Sequence, residues 1–281
     1  MSEAVLYDVA GPRGRRRILV GSIAGLVLVA LVVGVAVARL AANGSFDAEL
    51  WRVLTQDDLQ RLLGRGLAAT LRAALVAMVL AMAVGGLLAV ARLSRRRWLA
   101  APAGAWVELF RGLPLLLLIL FLFLGLPAVG VTISTFWALV GGLTLYNSAV
   151  IGEIFRAGIL SLPSGQTEAA YAIGLRRGQT LRLILLPQAV RLMLPALISQ
   201  LVTLLKDTSL GFVIAYAELL RTGRNAVEFL GGRYSIPVYT AIAIIYIAVN
   251  ASLSFLARWL DRRTRRKFGR TVQPSVADEA A

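Results

Sequence analysis

Long apolar segments alternate with short polar, arginine-rich segments along most of this chain. Six of the apolar segments contain about 20 residues or more, which is enough to cross the hydrocarbon core of a bilayer as an α-helix. They cover residues 18–38, 66–91, 107–126, 136–159, 190–215 and 237–257. The pattern predicts an all-α integral membrane protein with about six transmembrane helices.

Arginine clusters indicate how these helices are oriented. Dense clusters precede the first apolar segment and follow the second and the sixth, and further arginines follow the fourth. Arginine-rich flanks stay in the cytoplasm. An arrangement of six helices with both termini in the cytoplasm places every dense arginine cluster on that side. Membrane orientation therefore explains the formal net charge of +15. We expect a multi-pass membrane protein with the lipid bilayer and no nucleic acid as a partner.

The first apolar segment is set apart from the others. Residues 1–65 comprise a cytoplasmic tail, this additional helix and an external segment, in which residues 47–61 have the mixed composition of an interfacial helix. Residues 66–260 form the main transmembrane domain, and residues 261–281 form a basic cytoplasmic tail. A basic flank before an apolar segment also occurs in signal peptides, so five helices after cleavage of the first segment are the alternative.

Small residues recur at every fourth position along the second predicted helix. The residues are Ala73, Ala77, Ala81, Gly85 and Ala89, and they share one face. Because small side chains let two helix backbones approach closely, this face predicts a tight helix–helix contact within the membrane.

Composition excludes several kinds of chemistry. The chain contains no Cys and no His, which removes disulfides, thiolate metal sites and the commonest acid–base residue. Its only lysines are Lys206 and Lys267, and neither follows the glycine that a nucleotide-binding Gly-Lys-Ser/Thr loop requires. We therefore expect a protein that is not an enzyme and that binds no cofactor of its own, with any ATP bound by another polypeptide.

A polar, charged stretch at residues 161–188 separates the fourth and fifth apolar segments on the cytoplasmic side. Two short helices joined at Gly174 would present the charge and the flat small-residue face of residues 168–170 to a cytosolic partner, since glycine permits a sharp turn. Pro187 then marks the start of the next helix. The alternative is an amphipathic loop without a partner.

The spacing within this stretch resembles the EAA loop of ABC importer membrane subunits. That loop consists of Glu-Ala-Ala, three residues, Gly, nine residues and Ile-x-Leu-Pro. Every position is matched here, by Glu168, Ala169, Ala170, Gly174, Ile184, Leu186 and Pro187. The resemblance implies that these residues couple the chain to an ATPase.

Other segments are similar to the polar amino acid branch of that family. The matching stretches are Glu-Leu-Phe-Arg-Gly-Leu-Pro-Leu at 108–115, Tyr-Asn-Ser-Ala at 146–149, Glu-Ile-Phe-Arg-Ala-Gly-Ile at 153–159 and Lys-Asp-Thr-Ser-Leu at 206–210. Leu113 replaces the usual threonine of the branch. The resemblance implies a type I importer core of five helices at about residues 66–260, preceded by one extra N-terminal helix.

The resemblance also implies a function and a set of partners. Such chains are permease subunits that translocate a polar amino acid by alternating access, and this one looks most like glutamate-type permeases. Its partners would be two ATPase subunits that bind the ATP, a second permease subunit and an external substrate-binding protein. The second permease is expected to be a non-identical homologue, although an identical copy is also compatible with the sequence.

Six polar residues of the predicted helices are candidates for the translocation pathway or its gate, because polar groups are costly at membrane depth. They are Asn147, Glu153, Lys206, Asp207, Thr208 and Ser209. Adjacent Lys206 and Asp207 point about 100° apart on a helix, so each needs its own partner.

Each of these residues also has a purely structural interpretation. Lys206 would snorkel toward the membrane surface, and Asp207 would bond to Thr203 one turn earlier. Glu153 would pair with Arg156 within its own helix, and Glu108 with Arg111 in the same way. Asn147 would bond to a neighbouring helix instead of to a substrate.

Two other functions are compatible with six apolar helices. An ion-coupled secondary transporter would use intramembrane carboxylates such as Glu153 and Asp207, although the sequence contains no evident inverted repeat. Dependence on ATP rather than on an ion gradient discriminates this alternative. A non-transporting membrane scaffold would tolerate removal of the charges of Lys206 and Asp207 without loss of uptake.

Overall fold

The computed structural model describes residues 11–268, and this part of the chain is helical apart from short connections. In chain order the helices are α1 (Pro12–Ala42), α2 (Asp57–Arg92), α3 (Arg97–Gly112), α4 (Leu115–Ala128), α5 (Thr135–Leu160), α6 (Ser164–Ala172), α7 (Arg177–Ile214), α8 (Leu219–Leu230) and α9 (Ser235–Phe268). Two short turns, Ala48–Trp51 and Arg52–Thr55, precede α2. The prediction of an all-α membrane fold is confirmed.

Five helices are long and apolar enough to cross a bilayer, and they correspond to five of the six predicted spans. They are α1, α2, α5, α7 and α9, and α3 with α4 forms a sixth, broken candidate. The predicted interfacial helix at 47–61 is divided, because α2 already begins at Asp57. Helix α9 extends to Phe268, into the predicted basic tail, and the rest of that tail lies outside the described residues.

The prediction of one continuous third helix over residues 107–126 is wrong. Helix α3 ends at Gly112, and α4 begins at Leu115 after a change of direction of 102°. Leu113 is extended, with φ −86° and ψ 137°, because the ring of Pro114 disfavours helical backbone in the residue before it. The side chains remain apolar through this break, so hydrophobicity alone does not reveal it.

The core contains a close contact between α2 and α5, built from the small-residue face predicted above. Ala73, Ala77 and Ala81 are completely buried. A Cβ added to Gly85 would lie 2.9 Å from the carbonyl oxygen of Ser148 and 3.0 Å from the backbone nitrogen of Gly152. Glycine is therefore needed at position 85 for the two backbones to approach this closely.

Helix α1 lies apart from this core. None of its residues is buried, and its apolar side chains are exposed from Ile18 to Val37. An apolar helix exposed on all sides is typical of a segment surrounded by lipid. Within the described part of the chain, the packing of the core does not use α1.

Glu218 is a buried junction between helices at the start of α8. Two backbone N–H groups in the first turn of α8 donate to its carboxylate at 2.7 and 2.8 Å, and the Tyr246 hydroxyl of α9 donates to Oε2 at 2.9 Å. The next residue, Leu219, donates its N–H to Thr70 Oγ1 of α2 at 3.1 Å. This corner therefore connects α8 to both α9 and α2.

Glu218→Ala should destabilise the protein by about 2–4 kcal/mol, because it removes a helix cap and leaves buried donors without an acceptor. The measurement is thermal unfolding of the purified chain in detergent. Glu228→Ala is the control, since Glu228 is an exposed carboxylate on the same helix that pairs with Arg224 at 2.7 Å. The control should change the Tm little, and an unchanged Tm for Glu218→Ala would contradict the capping role.

The pH dependence of stability provides a second test of Glu218. Burial raises the pKa of this carboxyl, and its hydrogen bonds to Leu220, Arg221 and Tyr246 oppose that shift. A raised pKa means that the folded state binds the proton more tightly, so protonation stabilises the fold as pH falls toward the unfolded-state pKa. The Tm of the wild type relative to Glu218→Gln should therefore rise between about pH 7.5 and about pH 5. A relative Tm that falls over this range would contradict the assignment.

Candidate functional site

The first half of residues 161–188 forms α6, which ends at a glycine in the left-handed conformation. Gly174 has a φ of +82°. The N–H groups of Gly174 and Leu175 donate to the carbonyl oxygens of Tyr171 and Ala170 at 2.9 and 3.0 Å, which closes the helix. Apart from Gly174 and its two chain neighbours, no atom of the described residues lies within 4 Å of the position that a Cβ would occupy at Gly174, so this turn faces open space.

Only part of the predicted flat face is exposed. Glu168 and Ala169 are exposed, whereas Ala170 is 3% exposed and packs inward, which corrects the expectation for that residue. Two apolar side chains that the sequence analysis did not select, Tyr171 and Ile173, are 44% and 76% exposed. An exposed apolar patch beside a charged residue is typical of a surface that binds another protein.

The second half of this stretch belongs to α7. This helix already begins at Arg177, contains a π-helical turn at Thr180–Leu185 and continues as an α-helix from Leu186. Pro187 therefore lies within a longer helix, and Ile184 lies in the π turn. A proline removes one backbone N–H from the helix, and a widened turn next to it is a common accommodation.

A cleft of about 600 Å³ opens at the break between α3 and α4, where it is bordered by α5 and α7. Gly112, Leu113 and Pro114 of the break line it. Its polar side chains are Arg111, Tyr146, Gln200, Thr203 and Asp207. The cleft thus contains one cationic and one anionic side chain together with neutral hydrogen-bonding groups.

Lys206 and Asp207 line different spaces, in agreement with their predicted directions. Asp207 lines the cleft, and Lys206 lines a separate groove of about 650 Å³ between α7 and α9 together with Ser209. The alternative bond from Asp207 to Thr203 is not among the hydrogen bonds of the described residues, and Thr203 donates to the carbonyl of Ser199 at 3.1 Å. Of the two charges, only that of Asp207 is placed to meet a molecule in the cleft.

Thr208 and Ser209 hydrogen-bond to the backbone of the preceding turn. Thr208 is buried and donates to the carbonyl oxygen of Leu205 at 2.6 Å, and Ser209 donates to that of Lys206 at 2.8 Å. Both bonds lie where α7 changes from α-helix to a 3₁₀ helix over Thr208–Ile214. Neither side chain lines the cleft.

Asn147 connects α5 to α7. It is completely buried, donates to the carbonyl of Leu143 at 2.8 Å and accepts a bond from Gln200 Nε2 at 2.7 Å. The bond to a neighbouring helix is therefore present. Since Gln200 lines the cleft, Asn147 orients a cleft residue without lining the cleft itself.

Glu153 lines a second, smaller space of about 380 Å³, here called the inner chamber. The other residues that line it are Arg92, Val107, Glu108, Arg111 and Gly112. Glu153 accepts a hydrogen bond from Arg156 Nε at 2.9 Å, so the predicted pair within α5 is present, and it also forms an ion pair with Arg92 of α2. Among the described residues, no ion pair joins Glu108 to Arg111.

Four polar residues of the cleft were not predicted as site residues. The sequence predicts Arg111 only as a partner of Glu108 and Thr203 only as a partner of Asp207. Tyr146 enters only through the stretch at 146–149 that is similar to the family, and Gln200 is not predicted at all. A charged residue directly before a Gly-x-Pro break was the available signal for Arg111, because such a break exposes the end of a helix. No comparable signal marks Gln200.

Comparison with known proteins gives a family match over most of the helical core. The description of this family is "binding-protein-dependent transport system inner membrane component", and the match covers residues 81–266. The chain is 40% identical over 230 residues to the glutamate transport system permease protein GluD of Corynebacterium glutamicum, covering 80% of this chain and 84% of that protein. It is 40% identical over 200 residues to the probable glutamine ABC transporter permease protein GlnP of Bacillus subtilis, covering 70% and 91%.

Solved structures show the same arrangement of helices. The crystal structure of an amino acid ABC transporter with histidines aligns with a TM-score of 0.70 at 32% identity, covering 75% of this chain and 97% of that one. The inward-facing MetNI methionine ABC transporter aligns with a TM-score of 0.63 at 24% identity, covering 74% and 99%. At this lower identity, the similarity to the MetNI transporter shows only that the two chains share a fold.

Proposed function

The chain belongs to the family of binding-protein-dependent transport system inner membrane components, and we propose that it translocates glutamate by alternating access. The family match, the relatives and the helical fold make it a membrane-spanning permease of an amino acid ABC importer. The substrate and the mechanism are proposed from the cleft and from residues 161–188.

The observation that carries the substrate proposal is the pair of opposite charges on one cleft. A free α-amino acid has a carboxylate and an ammonium group on the same carbon atom. The guanidinium of Arg111 can donate two parallel hydrogen bonds to such a carboxylate, and Asp207 can accept hydrogen bonds from the ammonium. The cleft therefore suits the part of the substrate that all α-amino acids share.

The side chain of the substrate is assigned from the rest of the cleft and from the relatives. Tyr146 and Gln200 offer hydrogen-bond donors that suit either a carboxylate or an amide, and the Thr203 hydroxyl, which donates to Ser199, can accept a bond from an amide. Two relatives are named for glutamate and for glutamine. Glutamate is the preferred candidate because its permease matches a larger part of this chain.

The energy for transport is proposed to enter through residues 161–188. ATP binding on separate ATPase subunits would draw together the segments around Glu168 and Gly174 of two permeases. Ala169, Ile184 and Pro187 belong to the same ATPase-facing segment, with Ala170 packed behind it. The two helix bundles then rock as rigid bodies, and the cleft opens outward to accept substrate from an external binding protein.

The proposed assembly places both termini of this chain in the cytoplasm of a bacterium. It pairs the chain with a second permease, which is a non-identical homologue, and assigns it no catalytic step. Lys206 and Ser209 border the groove between α7 and α9, and we assign them to the wall of the pathway rather than to the substrate cleft.

Purification of the tagged chain in mild detergent, with its partners identified by mass spectrometry, tests the assembly. Recovery of an ATPase together with a second, unlike permease is the expected result. Recovery of the chain alone, under conditions that preserve known complexes, would contradict the proposal and favour an ion-coupled carrier.

A further inference from the structure

We propose that Glu153 is a positioning residue that transmits the movement of residues 161–188 to Arg111 at the substrate cleft. The proposal rests on the importer function proposed above and adds a route of contacts between the ATPase-facing segment and the cleft. Glu153 does not line the cleft. It therefore acts through Arg92 and Arg111 and not on the substrate.

The route begins where α7 meets the end of α2. Arg177, at the start of α7, donates from Nη2 to the carbonyl oxygen of Leu93 at 2.7 Å. Leu93 follows the last residue of α2 directly, and carbonyl groups at the end of a helix have no partner within that helix. A cationic donor is favourable at this position because the C-terminal end of a helix carries partial negative charge. A displacement of Arg177 will therefore displace the end of α2.

The second step is the ion pair between Arg92 and Glu153. Arg92 is the last residue of α2, next to Leu93, and Glu153 belongs to α5. Glu153 also holds Arg156, and the three side chains are 22–31% exposed, compared with 45% and 58% for Arg224 and Glu228 on the surface helix α8. Because water screens shielded charges less, this cluster joins α2 and α5 more firmly than a surface pair would.

The third step is Arg111, which lines both spaces. It borders the inner chamber together with Arg92 and Glu153, and it borders the cleft together with Asp207. Three guanidinium groups, those of Arg92, Arg111 and Arg156, thus lie around the carboxylate of Glu153. When Arg92 moves with α2, the balance of charge around Glu153 changes, and the position of Arg111 in the cleft changes with it.

Glu153→Gln tests this route, because it preserves the shape of the side chain and removes its charge. In liposomes containing the complete complex, kcat for uptake of radiolabelled glutamate should fall about tenfold, while KM stays within about twofold. The ATP hydrolysed per glutamate transported should rise. Glu228→Gln, which breaks the exposed pair on α8, is the matched control and should leave both quantities as in the wild type.

Two further variants separate positioning from simple structural support. Glu153→Asp retains the charge and should restore part of the lost kcat. Arg177→Gln breaks the first contact of the route and should raise the ATP-per-glutamate ratio by itself. Because both residues belong to one route, the loss in the double variant Arg177→Gln/Glu153→Gln should be smaller than the sum of the two losses in free energy.

Several outcomes would overturn the proposal. They are an unchanged ATP-per-glutamate ratio in Glu153→Gln, a loss that appears only in KM, and additive losses in the double variant. If Glu153→Gln does not assemble, an unchanged ratio in Arg177→Gln overturns the proposal, since Arg177 is exposed and outside the core. The proposed function is tested first, on the wild-type complex. If that complex does not take up amino acids with ATP, the importer function fails, which is distinct from a failure of the role proposed for Glu153.

Discussion

Gly174→Asp is expected to abolish ATP-driven uptake without unfolding the chain. Gly174 has a φ of +82° at the end of α6, a conformation that Asp and Asn adopt more readily than other non-glycine residues. The space beside it is open within the described residues, so in the proposed complex the added side chain would meet the ATPase. A charge placed in such an interface costs several kcal/mol, and we expect uptake to fall by roughly 100-fold or more.

Gly174→Asn is the matched control for this prediction. Asparagine has nearly the same size and the same tolerance of the left-handed conformation, so both variants should lose only about 1 kcal/mol of folding free energy. Uptake, ATP hydrolysis and co-purification of the ATPase are measured for both. Asparagine should retain more uptake than aspartate. If Gly174→Asp transports at the wild-type rate, residues 161–188 do not form the ATPase contact.

Asp207→Asn is expected to lower kcat/KM for glutamate uptake by about 10- to 150-fold. The reason is the loss of the negative charge that would face the substrate ammonium in the proposed cleft. Asparagine still offers an acceptor oxygen, but hydrogen bonds to charged groups contribute about 1.5–3 kcal/mol. Asp57→Asn, an exposed aspartate at the start of α2, is the control for a general effect of removing a carboxylate. It should leave uptake close to that of the wild type.

A substrate analogue identifies the group that Asp207 recognises. Glutarate has both carboxylates of glutamate and no ammonium group. Glutarate should compete poorly for the wild-type cleft, because it leaves Asp207 without a partner. In Asp207→Asn, the preference for glutamate over glutarate should shrink by about the same factor as kcat/KM for glutamate uptake. An unchanged preference in the variant would show that Asp207 does not bind the ammonium.

The sequence predicted those parts of the fold that depend on local pattern. Length and hydrophobicity located five spans, and the four-residue spacing of Ala73, Ala77, Ala81 and Gly85 identified the face that packs closely in the core. The break at Leu113 was missed, because a single proline redirects the backbone while the side chains stay apolar. Gly112 and Pro114 indicate a loosened backbone at this point, but they do not predict a change of direction of 102°.

The cleft and the buried junctions depend on contacts between residues far apart in the sequence. The directions of Lys206 and Asp207 follow from helix geometry and were predicted. The partner of Glu153 on α2 lies 61 residues away, and Glu218 gives no local sign that α9 will provide Tyr246 as a donor. Such contacts are set by helix packing, which one sequence does not specify.

Uptake by liposomes that contain the complete complex tests the central claim most directly. The chain is reconstituted with its co-purifying permease and ATPase, the binding protein is added on the external face, and radiolabelled glutamate uptake is measured with and without ATP. We predict uptake that requires ATP and is unaffected when sodium and proton gradients are removed. Uptake driven by an ion gradient in the absence of ATP would contradict the importer function and identify a secondary carrier.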